Sequence, residues 1–281
     1  MSAHPTVAGV GPWRPRASSV GYYMKCLWRA CQDRLRHEGT LPDGLWSEQD
    51  DTSYADLGTC IHFALQDGTR CQFPGTSAEH APTAAEFESA ATLFAGNLVV
   101  TKERIRESAT LGAQQLPKTP TGAPWLSEWA FESQFSTGHI DFLSPCRQIV
   151  GDLKTTSKPP VNRRVKAEHQ AQMAIYHLLT GAPRGFVLYV DSMRASWATV
   201  CWVDFLQPDI AFYCEQVKTF CTFLMSDMLP TVAYPNLDHT NCTQCFCPYK
   251  GSCYEKQAFP PGREYNAAAA KRPTGTIRLA I

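Results

Sequence analysis

The sequence has no excess charge of either sign: 26 Lys and Arg stand against 26 Asp and Glu. That excludes a polycation drawn onto nucleic acid or an anionic membrane by net charge alone, although local patches remain open. No run approaches the ~18 continuous apolar residues of a membrane span, so no membrane contact is expected. Met1 to Arg16 lacks the apolar core and small-residue cleavage site of a signal peptide, and the chain is expected to be cytoplasmic. There are no internal repeats. There is no G-x-x-x-x-G-K-S/T phosphate loop, so the 281 residues carry no ATPase or helicase motor. Disorder is excluded too, because 44% of residues are apolar and only 19% charged.

Cysteine, by contrast, is abundant. Twelve thiols without a secretion signal do not read as a disulfide framework. Cys60, Cys201, Cys214 and Cys221 sit among apolar neighbours, as small hydrophobes do. Cys242, Cys245, Cys247 and Cys253 crowd into twelve residues beside Pro248 and Gly251, and that density reads as a metal or cluster site.

Charge is segregated along the chain. Residues 1–36 carry six basic side chains against Asp33, whereas 38–56 hold Glu38, Asp43, Glu48, Asp50, Asp51 and Asp56. Apolar spacing predicts helices over 18–36, 56–66, 82–108, 164–179 and 208–228. Period-two alternation predicts strands over 125–135, 139–143, 148–154, 185–190 and 197–205. Helices, then a strand meander, a helix and more strands predict an α/β sheet flanked by helices. One domain is expected over 1–255, with a loose tail over 256–281.

The chemistry concentrates in Gly138-His139-Ile140-Asp141 and Gly151-Asp152-Leu153-Lys154. Side chains two apart on a strand share a face, so Asp152 and Lys154 point the same way. Pairing across the turn at 144–147 would bring Asp141 to the same rim. Two carboxylates suit Mg²⁺ or Mn²⁺, and a lysine beside them can hold a water or a developing phosphate charge. Taken alone, a D-x-K strand is more often a salt-bridged surface strand. Two further pairs stand in order: Gly58-Thr59 with His62 on one helix, and Gln172 with Tyr176 one turn apart on another.

Together, G-T-x-x-H at 58–62, G-x-x-D at 138–141, D-x-K at 152–154 and Q-x-x-x-Y at 172–176 resemble the RecB-type branch of the PD-(D/E)XK nucleases. The resemblance runs over roughly residues 18 to 255. It implies a restriction-endonuclease-like central mixed sheet flanked by helices. It implies that His62, Asp141, Asp152 and the Leu153 carbonyl ligate Mg²⁺ or Mn²⁺. Lys154 would orient or deprotonate the attacking water, and Gln172 and Tyr176 would brace Lys154 or the DNA strand. Glu128 or Glu132 could assist, and the sequence does not choose between them.

In one subgroup an N-terminal cysteine and three C-terminal ones hold a 4Fe–4S cluster that joins the two ends of the chain. The segment Tyr22 to Arg29 is similar to the surroundings of that first cysteine, here Cys26, with Leu27 in place of the usual proline. Its partners would be Cys242, Cys247 and Cys253, with Cys245 competing. A local Zn²⁺ site on the four C-terminal cysteines is the alternative.

Without a motor, the chain is similar to CRISPR-adaptation-type and viral recombination exonucleases. The resemblance implies a metal-dependent deoxyribonuclease acting on single-stranded DNA or DNA ends in recombination, repair or DNA processing. The partner class it implies is a helicase, a recombinase or an annealing protein. Lys158, Arg163, Arg164 and Lys166, with no acidic residue between Lys154 and Lys166, are the expected phosphate grips. Two other classes stay open: a non-catalytic DNA-end-binding subunit, and a zinc-binding interaction protein.

Overall fold

Val20, Tyr23, Leu27, Ala30 and Cys31 share a helical face, yet the chain makes two helices there. A computed structural model, describing residues 12–40, 52–69 and 81–226, shows α1 (Ala17–Lys25) and α2 (Leu27–His37) separated at Cys26. Cys26 is extended, with φ −148° and ψ 93°. Neither glycine nor proline marks this break, so the apolar spacing runs straight through it. Tyr23, Trp28, Ala30 and Cys31 still share a small core, closed by Leu224 from the far end of the described chain.

The next helix, α3, spans Ser53–Gly68. The long helix expected over 82–108 is also two pieces. Thr83 and Glu86 form a reciprocal capping box that starts α4 (Ala84–Ala91). A 3₁₀ turn follows at Thr92–Phe94, and Ala95 and Gly96 then take positive φ. Asn97 caps α5 (Leu98–Gln115), its side-chain oxygen accepting the N–H groups of Val99 and Val100 at 3.1 Å each. Left-handed backbone followed by an Asn cap is a stop and a restart, and apolar spacing does not register either.

The strand expected over 125–135 shortens to β1 (Trp129–Glu132), because Glu128 adopts φ 52°. β1 pairs antiparallel with β2 (Thr137–Ile140) in a two-stranded sheet. At Asp141 the chain leaves that sheet and enters a second one as β3 (Phe142–Leu143), so the single strand expected over 139–143 belongs to two sheets. The second sheet continues with β4 (Ile149–Thr156), then β5 (Arg184–Asp191) and β6 (Ala198–Asp204), in the order β3-β4-β5-β6. Only β4 and β5 run parallel. A parallel pair needs a crossover, supplied here by α6 (Ala167–Thr180). α7 (Pro208–Met225) ends the described chain.

The four-stranded sheet is covered on both faces. Val150, Val187, Tyr189 and Cys201 pack with residues of α1, α6 and α7. Leu153, Phe186, Leu188 and Val190 pack with residues of α3, α4 and α5. Two glycines permit close approach: a Cβ on Gly21 would lie 2.3 Å from the Glu168 carbonyl oxygen, and one on Gly151 would lie 2.2 Å from the Phe186 ring. The result is a mixed sheet flanked by helices. Among the described residues, no helix is long and apolar enough to cross a membrane. Cys242, Cys245, Cys247, Cys253 and the tail over 256–281 lie outside the described residues.

Candidate active site

β4 carries Asp152 and Lys154 on the face covered by α6. The Lys154 ammonium lies 2.7 Å from Asp152 Oδ2, and Asp152 is only 1% exposed. Phe142 pairs with Gly151, and this antiparallel register sets Asp141 opposite Asp152. Asp141 sits at the junction of the two sheets, where its Oδ2 accepts the Leu153 N–H at 2.7 Å. The backbone of the D-x-K strand therefore fixes the second carboxylate. The Leu153 side chain points the other way, into the core shared with α3 and α5.

α6 lays Gln172 and Tyr176 over the same face. Gln172 Nε2 donates to Asp152 Oδ1 at 2.8 Å and to the Tyr176 hydroxyl at 2.6 Å. The Tyr176 hydroxyl donates to the His139 carbonyl on β2 at 2.6 Å, tying the two sheets together. Both side chains are buried. Gln172 and Tyr176, expected to brace Lys154 or the DNA strand, hydrogen-bond to Asp152 and to each other.

α3 brings His62 to the opposite side of Asp141, Nδ1 standing 3.6 Å from Oδ2. Glu128 joins them. His62, Glu128 and Asp141 each offer a donor atom within 4.8 Å of the others, a spacing that one metal ion can span. Asp152 lies beside this trio, its Oδ2 2.7 Å from the Lys154 ammonium and its Oδ1 accepting from Gln172. Glu132 is exposed and pairs with Arg14, so the geometry selects Glu128 of the two. Gln66, one turn after His62, is buried and donates to Glu128 Oε1 at 2.9 Å. The sequence reading missed Gln66. The i, i+4 spacing from His62 is the signal that points to it.

Charge at the site is out of balance. Burial pushes the Asp141 carboxyl well up, and repulsion from Asp152 and then Glu128 adds to it. Burial likewise raises Asp152, against the attraction of Lys154. Burial opposes the Lys154 ammonium, yet Asp152 and Asp141 outweigh it and move Lys154 upward. His62 is pushed down to about 3 by burial and then by Lys154, so it is neutral, as a metal-ligating imidazole must be. Three carboxylates face one lysine. A neutral imidazole with two carboxylates is a donor set suited to Mn²⁺ or Mg²⁺, and a divalent cation there would restore the balance.

The expected phosphate grips divide. Lys158, Arg163 and Arg164 are exposed on the loop before α6. Lys166 is half-buried, its ammonium bonded to Thr156 Oγ1 at 3.0 Å and the Lys158 carbonyl at 3.2 Å, so it ties the loop to β4. Cys26 is half-buried against the α1–α2–α7 cluster, while Cys60, Cys201, Cys214 and Cys221 are buried thiols.

No curated protein matches the chain. The sequence model of the PD-(D/E)XK nuclease superfamily, however, matches residues 17–254. That span contains α3 with His62, the Asp141 junction, the Asp152–Lys154 strand and the Gln172–Tyr176 helix, and the chain belongs to the PD-(D/E)XK nuclease superfamily.

Proposed function

We propose that the chain is a metal-dependent DNA exonuclease of the RecB-type branch, hydrolysing phosphodiester bonds in single strands or at DNA ends during recombination, repair or DNA processing. The observation that carries this reading is the convergence of the His62–Glu128–Asp141 donor trio with the Lys154–Asp152 pair on one strand. His62, Glu128 and Asp141 would hold the ion, with Asp152 and the Leu153 carbonyl as further oxygen donors on the same rim. Bound there, Mg²⁺ or Mn²⁺ supplies Lewis-acid polarisation of the phosphate and of a water. Lys154 orients the attacking water and offsets charge on the phosphate. Gln172 and Tyr176 hold Asp152, and Gln66 holds Glu128. Lys158, Arg163 and Arg164, exposed on the loop before α6, would grip phosphates flanking the cut.

The test is digestion of linear and circular single-stranded DNA with Mn²⁺ or Mg²⁺. Linear strands should be degraded, circles should resist, and EDTA should stop the reaction. Cleavage of circles at the same rate would make the protein an endonuclease. Unchanged cleavage after chelation would end the metal assignment.

The reading extends to a 4Fe–4S cluster on Cys26 with Cys242, Cys247 and Cys253, Cys245 competing. Its support is the chain's path: Leu224 packs with Tyr23 and Trp28, and Arg34 donates to the Ser226 carbonyl at 3.1 Å. The described chain therefore ends against α1 and α2, the two helices that meet at Cys26. Cys26→Ser and Cys253→Ser should lose iron and melting temperature equally. Metal retained as zinc in Cys26→Ser but lost in Cys253→Ser would establish the local zinc site.

A further inference from the structure

One polar side chain on the active-site face of α6 has no role so far. His169 lies three residues before Gln172 and seven before Tyr176 on α6, so the three share a helical stripe. Beneath it, Lys154 on β4 is the register partner of Tyr189 on β5, so their side chains stand next to each other on one sheet face. The Tyr189 hydroxyl meets His169 Nδ1 at 2.8 Å, and the two rings lie 5.6 Å apart.

The protons around Tyr189 can be placed. Its oxygen accepts the Lys166 backbone N–H at 3.0 Å, and a hydroxyl has a single proton to give. With His169 Nδ1 the other partner, donation of that proton to Nδ1 is the arrangement that leaves the buried hydroxyl proton paired. A neutral His169 then carries its own proton on Nε2. Burial, followed by repulsion from Lys154, Lys166 and Lys25, pushes His169 down to about 2, so the neutral form persists through the working pH range. Nε2 makes no hydrogen bond to another described residue, and His169 as a whole is half-buried.

We propose that His169 is a further catalytic residue of this site, its Nε2–H donating a hydrogen bond to a non-bridging oxygen of the phosphodiester held beside Lys154. No proton is transferred, and the imidazole is neutral before and after. As hydroxide attacks, negative charge on the non-bridging oxygens must be met by donors already in place. Tyr189 supplies that preorganisation by fixing both the tautomer and the ring orientation of His169. The inference deepens the nuclease reading and rests on it.

The experiment compares His169→Ala, His169→Gln and His169→Asn in steady-state digestion of linear single-stranded DNA with Mn²⁺, alongside thermal melts. Gln places an amide N–H near the position of Nε2, whereas Asn places one near Nδ1. His169→Ala should lower kcat by roughly 100-fold with KM near wild type, a loss larger than the fall in melting temperature from unpairing the Tyr189 hydroxyl accounts for. Gln should recover part of that loss, and Asn should not. Recovery by Asn instead of Gln, or activity that merely follows melting temperature, would reduce His169 to a packing partner of Tyr189. A rise in KM with kcat unchanged would also overturn the proposal, because the contact would then exist equally in the ground state. A wild-type protein that cleaves no DNA brings down the nuclease reading and this inference with it. An active wild type with three equally active variants overturns the inference alone.

Discussion

On one face of β4, Asp152 is buried against Lys154 and under Gln172 and Tyr176. On the other face of the same strand, Gly151 lies under the Phe186 ring and Leu153 is fully buried among aliphatic and aromatic side chains. Alternation puts the two environments one residue apart. The apolar face gains free energy from every square ångström it removes from water. The polar face has to desolvate charges, and its raised carboxyls record that burden. A strand free to optimise stability would not bury Asp152. The comparison therefore separates what holds this protein together from what it does, and substitutions on each side should fail in different ways.

The largest effect belongs to the polar face. Asp152→Asn and Lys154→Met should each lower nuclease activity by at least about 1,000-fold, or roughly 4 kcal/mol of transition-state stabilisation. Their stabilities should diverge. Lys154→Met leaves the Asp152 carboxylate buried without its cation, a loss of about 3–5 kcal/mol. The double variant removes both charges and should regain most of that stability while staying inactive. Urea melts beside digestion assays check this, and a double variant as unstable as Lys154→Met would refute the division of labour between the faces.

Leu153→Ala should give the converse result. Its side chain belongs to the apolar core, and its part in the site is confined to the backbone, whose N–H binds Asp141. Truncation should cost about 2–5 kcal/mol of stability, with activity per folded molecule close to wild type well below the melting temperature. An inactive but fully stable Leu153→Ala would mean that the apolar face also shapes the chemistry.

Much of the polar face is legible in the sequence, for a physical reason. Period two puts Asp152 and Lys154 together, and a short turn brings Asp141 opposite them. A helical turn stacks Gln172 with Tyr176. Each relation is local or spans one hairpin. What is not legible depends on backbone that departs from periodicity. The α1–α2 break at Cys26 carries no glycine or proline. The left-handed φ of Glu128 brings it, and not Glu132, to the site. The change of sheet at Asp141 is invisible to an alternation that continues through it. Gln66 and His169 escape because each is read through a partner distant in sequence, Glu128 and Tyr189 respectively. The resemblance implied Gln172 and Tyr176 as braces for Lys154 or DNA, and three-dimensional packing assigns them to Asp152.

Gln66 tests whether the donor trio depends on its own support. Gln66→Leu is close in size and removes the donor to Glu128 Oε1. Losing an outer hydrogen bond of this kind weakens metal affinity by roughly 10- to 100-fold. The Mn²⁺ concentration giving half-maximal activity should rise accordingly, with the maximal rate recovered at saturating metal. An unchanged Mn²⁺ dependence would remove Glu128 from the metal site, because its orientation would then not matter.

The smallest effect comes from a second buried carboxylate, Asp191, at the end of β5 on the neighbouring strand. It is 2% exposed, yet local donors surround it: Met193 N–H at 3.0 Å, Arg194 N–H at 3.2 Å, and the Ser196 N–H and hydroxyl at 3.2 and 2.7 Å. Burial raises its carboxyl, but the Ser196 hydroxyl and the three backbone N–H groups outweigh burial and bring it below the ordinary value. This is the reverse of Asp152, and it shows that burial alone does not set the direction. A folded-state pKa below the unfolded one means that the ionised form stabilises the fold. The contribution is complete above the unfolded pKa of about 3.9 and is lost as pH falls through the folded value. Asp191→Asn turns one acceptor into a donor facing the N–H and hydroxyl of Ser196. It should destabilise by about 1–2 kcal/mol at pH 7, with the gap to wild type closing below about pH 4. Nuclease activity should be unchanged. Urea melts of both proteins at the two pH values read this out. A gap of equal size at both would show that shape and not charge is what Asp191 contributes to the turn, and the contrast with Asp152 would lose its electrostatic basis.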